Sequence, residues 1–195
     1  MPYVNRAARI AFLAHPRAAS HSIARALQEQ AGFVPVPTHH DGREVVERRW
    51  PEAKSWTFFS VVRNPFDALV SWWFKRGKND GHEFAPPWIE RLEREMGELR
   101  PSGNPVLVQP GRLWVYADDS DAIVRFERLT EDLNELLEAH ELGPVTLPWD
   151  VQSARMGQPY QDHYDQVTRD WVTDRYGDEL RTWGYRFEGA TVEVG

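Results

Sequence analysis

The 195-residue chain contains no cysteine, which excludes a disulfide framework and any thiolate metal site. Long apolar runs are missing too. The early run from Ile10 to Ala14 is too brief and too quickly interrupted for a signal peptide, and no later stretch approaches the length of a membrane span. A soluble, cytoplasmic protein with no membrane partner is therefore expected. Excess positive charge is also lacking. The formal net charge of −7 argues against general nucleic-acid binding, which needs a basic surface. The pattern Gly-x-x-x-x-Gly-Lys-Ser/Thr is absent, which weakens a nucleotide triphosphatase reading. His82, His140 and His163 show no ligand spacing, and no metal site is expected. With no internal repeat and no linker, residues 1–195 read as a single domain.

What the chain does have is an ordinary globular composition, 41% apolar and 27% charged, with its charge unevenly placed. Residues 1–80 hold 12 Lys and Arg against 7 Asp and Glu, a local balance of +5, and residues 81–195 stand at −12. A basic first segment in an acidic protein suggests a local anion site.

The element pattern supports that placement. Arg9 to Ala14 is a short buried strand, and Ser20 or Ser22 can cap a helix whose apolar face is Ile23, Ala26 and Leu27. Trp56 to Val62 is a second strand. Asn64 as N-cap and Pro65 at the first helical position then open a helix with Phe66, Leu69, Val70, Trp73 and Phe74 on its packed positions. Residues 77–87 are rich in breakers and read as an exposed loop. A helix over 88–99, a strand over 122–126, a helix over 129–140 and a last helix near 163–176 follow. Strands alternating with helices predict an α/β fold with a mainly parallel central sheet flanked by helices.

Ligands of such sheets sit beyond the carboxyl ends of the strands, where two segments qualify. The first, His15-Pro16-Arg17-Ala18-Ala19-Ser20-His21-Ser22, joins a strand to a helix N-terminus, where free N–H groups and the helix dipole hold anions. Arg17 adds a fixed charge. The second is Arg63-Asn64-Pro65-Phe66-Asp67-Ala68-Leu69-Val70-Ser71. Taken alone, Arg63 could simply pair with Asp67, and Ser71 could be a small residue on a packed face.

Together the two segments resemble the sulfotransferases that use 3′-phosphoadenosine 5′-phosphosulfate (PAPS), particularly the compact carbohydrate-type family. The first is similar to that family's 5′-phosphosulfate loop, Pro-Lys-Thr-Gly/Ala-Ser/Thr-Thr-Ser. The second is similar to its 3′-phosphate motif, Arg-Asn-Pro-aromatic-Asp-x-x-Val-Ser, with arginine and serine eight residues apart as in the family. The run from Ala122 to Leu129 resembles a later family strand, and Tyr160, Tyr164, Asp178 and Gly184 to Phe187 resemble its closing helix and ending. The departures are Arg17 in place of lysine, Ala18 in place of a hydroxyl residue and His21 in place of threonine. Arginine keeps the charge and grips two oxygens, but it is not equivalent to lysine beside a leaving group.

The resemblance implies a P-loop-NTPase-like sulfotransferase architecture and PAPS as sulfuryl donor, without a metal. The acceptor it implies is a small-molecule or carbohydrate hydroxyl, or an amine. Arg17 would stabilise the leaving phosphate, with Ala18, Ala19, Ser20, His21 and Ser22 cradling the phosphosulfate. Arg63 and Ser71 would hold the 3′-phosphate, and Arg155 would reach it. In-line transfer also needs a base for the acceptor proton. The resemblance favours His40, with His15 and His21 as rivals. Trp72, Trp73 and Trp88 flank the 77–87 loop, where an acceptor could lie. Two other readings share the fold, a nucleotide-binding protein without turnover and a small-molecule kinase. Binding of PAPS against ATP, and turnover, separate them.

Overall fold

The computed structural model describes residues 1–37, 42–78, 80–97, 108–148 and 157–189. These fall into two compact units, one of residues 1–62 and 114–148, the other of residues 63–97, 108–113 and 157–189.

The first unit is built on a five-stranded sheet with strand order β3-β1-β2-β4-β5. β2 (Ile10–Leu13) is buried along its whole length. β4 (Thr57–Val62) runs parallel to it in the register Ile10 to Thr57, and β5 (Ala122–Arg125) runs parallel to β4, Val62 opposite Arg125. β1 (Pro2–Asn5) pairs antiparallel with β2, and β3 (Val34–Pro35) pairs antiparallel with β1. The sheet is therefore mixed, which corrects the expectation of a mainly parallel one.

The reason is a hairpin at the start of the chain. The turn 6–9 contains no glycine. It closes through the Asn5 side chain, which accepts a hydrogen bond from the Ala8 amide at 3.0 Å, and through a left-handed Arg9 at φ 54°. Proline is tolerated at the first residue of a strand and on an edge, as Pro2 and Pro35 are here.

α1 (Ser20–Gln30) buries Ile23, Ala24, Ala26 and Leu27. The short α2 (Arg43–Arg49) follows the described segment's restart, and its Arg43 lies over the Phe58 ring at 4.4 Å and bonds Asp121 at 3.1 Å. The stacked rings of Phe12 and Phe59, 5.0 Å apart, mark the middle of this core.

The second unit is helical: α3 (Pro65–Lys75), α4 (Pro86–Gly97), α6 (Gln166–Arg175) and α7 (Gly177–Thr182). α5 (Leu129–Glu138) belongs to the first unit, where Asp132 accepts a hydrogen bond from the Arg125 amide of β5 at 2.9 Å. In α3 every residue from Pro65 to Trp72 is buried, as expected of a helix that is apolar nearly all round. A buried carboxylate ties the unit's helices together. Glu93 of α4, 2% exposed, accepts from the Tyr176 hydroxyl, the Gly111 amide and the Arg175 guanidinium. Glu179 of α7 likewise accepts from the Leu113 amide. Gly111 has φ 72°, and a Cβ there would stand 2.6 Å from the Arg175 carbonyl oxygen, so the close approach requires glycine.

Among the described residues no helix is long and apolar enough to cross a membrane.

Candidate functional site

β2, β4 and β5 point the same way, so the loop after β2 and the turn Phe126–Arg128 after β5 both leave the carboxyl end of the parallel strands. Glu127 is exposed in that turn.

The β2–α1 loop has an uncommon backbone. Arg17 and Ala19 are both left-handed, at φ 69° and 54°, with Ala18 between them on the ordinary side. Left-handed non-glycine residues are rare, and each costs roughly 1–2 kcal/mol. Alternation of hand between successive residues is the backbone pattern by which anion nests turn neighbouring amides inward. α1 then starts at Ser20 with no side-chain cap and no acidic residue in its first turn, so no side chain of that turn opposes its positive end.

Around this backbone, Ala18 is 1% exposed and is part of the core. Arg17, Ser20 and Ser22 are half-buried and His21 is exposed. His15 is 1% exposed, holds the Pro16 carbonyl through Nδ1 at 2.9 Å, and sits edge-on to Trp114 and Tyr116 at 5.0 and 5.5 Å. A carbonyl only accepts, so Nδ1 carries the proton. Burial and ring packing make His15 a support of the loop rather than a group open to an acceptor.

The Arg63 segment, in the second unit, is ordered differently. Arg63 and Asp67 are both buried, with Nε and Nη2 of Arg63 each 2.7 Å from one carboxylate oxygen of Asp67. Ser71 is buried four residues further along the same face of α3. Asn64 caps α3, its Oδ1 accepting from the Phe66 amide at 3.1 Å. Its amide group donates to the Arg186 carbonyl at 2.7 Å and to the Tyr160 hydroxyl at 3.2 Å. Tyr160 in turn donates to the Phe187 carbonyl, and Tyr164 donates to the Phe66 carbonyl at 2.9 Å. Burial pushes the Tyr164 phenol well above its ordinary range, with smaller contributions from Tyr160 and Asp67.

The structure thus gathers residues 17–22 in one loop and helix start, and places Asp67 and Ser71 on α3 with Arg63 just before its cap, paired to Asp67. His40 and Arg155 lie outside the described residues. The tie from Tyr160 to Asn64 has no signature in the sequence, where Tyr160 and Tyr164 stand only as part of the closing segment.

A separate pocket of about 200 Å³ lies in the second unit at the carboxyl end of α3, lined by Arg76, Asp80, His82, Trp88, Arg91 and Glu95 among others. Trp73 donates to the His82 carbonyl at 2.8 Å and fixes the loop that borders it. Gly77 is required here, because a Cβ would fall 2.5 Å from both the Trp73 and Trp88 rings. Trp72 and Trp88 are buried. Among the described residues no group of three or more His, Asp or Glu side chains is arranged to hold a metal ion.

Compared with protein-family models, curated proteins and solved structures, the chain matches none.

Proposed function

We propose that the chain is a sulfotransferase that moves the sulfuryl group of PAPS in line and without a metal onto an acceptor, a carbohydrate hydroxyl by preference or an amine. The observation that carries this reading is the β2–α1 loop. Alternating backbone hand at Arg17, Ala18 and Ala19, an uncapped helix start and one guanidinium together suit a dianionic group. That loop precedes Arg63-Asn64-Pro65 in the order the resembled family shows.

PAPS would supply the activated sulfuryl group and a phosphate leaving group. Arg17 and the loop amides would bear the charge that develops on that phosphate, without reorganising as it forms. Ser20 and Ser22 would orient the sulfonate oxygens by hydrogen bonding. Arg63 and Ser71 would hold the 3′-phosphate, with Asp67 fixing the guanidinium, and Arg155 would add a further contact. His40 would take the acceptor proton; of its two rivals, exposed His21 suits the role better than buried His15. The pocket beside Trp88 suits an acceptor, since it combines an aromatic wall with paired donors and acceptors.

Arg17, Ala18 and His21 favour a second reading, a protein of this fold that binds the nucleotide without turnover. A small-molecule kinase is the third. Calorimetric titration with 3′-phosphoadenosine 5′-phosphate, alongside ATP without metal, tests the site. Micromolar binding of the former and little of the latter supports it, and Arg63→Ala is expected to lower that affinity about 10- to 100-fold. Equal affinity in wild type and Arg63→Ala would remove the 3′-phosphate assignment. Transfer of the labelled sulfuryl group from PAPS to an acceptor, with release of 3′-phosphoadenosine 5′-phosphate, separates the first reading from the second.

A further inference from the structure

We infer that Tyr160 and Asn64 form a clamp that positions Arg63 and so sets the preference for a nucleotide carrying a 3′-phosphate. The inference rests on the reading that Arg63 holds that phosphate, and it assigns to two other residues the job of placing it.

A cap for α3 needs only the Asn64 carbonyl oxygen, which the Phe66 amide satisfies. The amide nitrogen of Asn64 uses its two hydrogens elsewhere, on the Arg186 carbonyl and the Tyr160 hydroxyl. That hydroxyl donates in turn to the Phe187 carbonyl, which also accepts from the Gln161 side chain at 3.3 Å. Tyr164 holds the Phe66 carbonyl, and the Phe66 ring is boxed edge-on by Tyr164 and Phe187 at 5.4 and 5.0 Å.

The residues one and three positions after Arg63 are therefore both tied to the turn 160–164, and one is tied to the turn 186–189 as well. Asp67 orients the guanidinium relative to α3. The clamp fixes where α3 begins, and with it the backbone that carries Arg63. A charge-assisted contact loses strength steeply when its donor is displaced, so loosening the clamp weakens whatever Arg63 alone contacts. Contacts made by the rest of the nucleotide are left as they were. Tyr160 and Asn64 are positioning residues, acting through Arg63 rather than on the ligand.

The test is the ratio of affinities for 3′-phosphoadenosine 5′-phosphate and adenosine 5′-monophosphate, which differ only in the 3′-phosphate. Any unfolded fraction cancels in that ratio. Tyr160→Phe deletes the bridging hydroxyl, and Asn64→Ser keeps a cap for α3 while deleting both donors. Each variant is expected to lose about two- to tenfold of the wild-type preference, with affinity for the monophosphate unchanged. A preference unchanged in both variants would show that the clamp is purely structural and would overturn the inference. Should the wild-type protein itself show no preference, the assignment of Arg63 fails, and the clamp's proposed role fails with it.

Discussion

In the β2–α1 loop the distinctive feature is the backbone. Arg17 and Ala19 are left-handed, and α1 has no side-chain cap. In the Arg63 segment the backbone has ordinary φ values throughout, and buried side chains do the fixing, Arg63 to Asp67 and Asn64 to three partners. Under the proposed function, a group that grips through its own amides would have to bend the chain. On the same reading, a group that grips through a guanidinium would have to brace that side chain and the helix start beside it. The contrast extends to the units that hold the two segments: the second depends on buried polar ties far more visibly than on strain.

The largest expected effect tests that dependence directly. Glu93→Ala removes a carboxylate that accepts from Tyr176, Gly111 and Arg175, and it leaves the buried Tyr176 hydroxyl without its acceptor. A loss of about 3 kcal/mol in unfolding free energy is expected, read by urea denaturation. A loss below about 1 kcal/mol would mean that apolar packing, not the polar knot, holds these helices together.

A smaller and opposite effect is expected in the loop. Glycine adopts the left-handed region without steric cost, although it loses more entropy on folding. Ala19→Gly should therefore raise stability by about 1 kcal/mol or less, seen as an upward shift in Tm. Because glycine keeps the amide that the nest presents, affinity for 3′-phosphoadenosine 5′-phosphate should be unchanged. Destabilisation instead would show that the left-handed turn at Ala19 is not strained as its φ implies.

The same contrast decides what could be read from residues alone. β2, β4 and β5 were legible because each is a short, mainly apolar run bounded by polar residues. α3 was legible because Asn64-Pro65 is a local start signal that the Phe66 amide obeys. β1 and β3 were not: they are 4 and 2 residues long, and their existence depends on pairing rather than on pattern. The turn joining β1 to β2 is Arg6-Ala7-Ala8-Arg9, a composition that favours helix, so the hairpin that makes the sheet mixed gave no turn signature.

At the candidate site, Arg63 with Asp67 was readable as a pair four residues apart on a helix. The clamp was not, since Tyr160 lies 96 residues from Asn64 and its proton goes to a backbone carbonyl, which any residue type supplies. Nor could the alternating hand of residues 17–19 be inferred, because none of them is glycine.

Alkaline titration offers the finest separation between the two units. Burial pushes the Tyr176 phenol well above its ordinary value, and the nearby Glu93 carboxylate adds to the shift. The folded protein keeps this proton while the unfolded chain begins to lose it near pH 10. Stability present below pH 10 is thus lost as pH rises, at up to about 1.4 kcal/mol per pH unit for each such group until the folded value is reached. Tyr176→Phe removes one of these protons. Between pH 10 and 11 it should lose about 1 kcal/mol less than the wild type, whatever its stability at neutral pH. Tyr3 of β1, raised only by partial burial, should show a weaker version of the same behaviour in Tyr3→Phe. If the two substitutions flatten the alkaline slope equally, the second unit's reliance on buried hydroxyls is no greater than the first's, and the contrast between them reduces to the loop and the clamp.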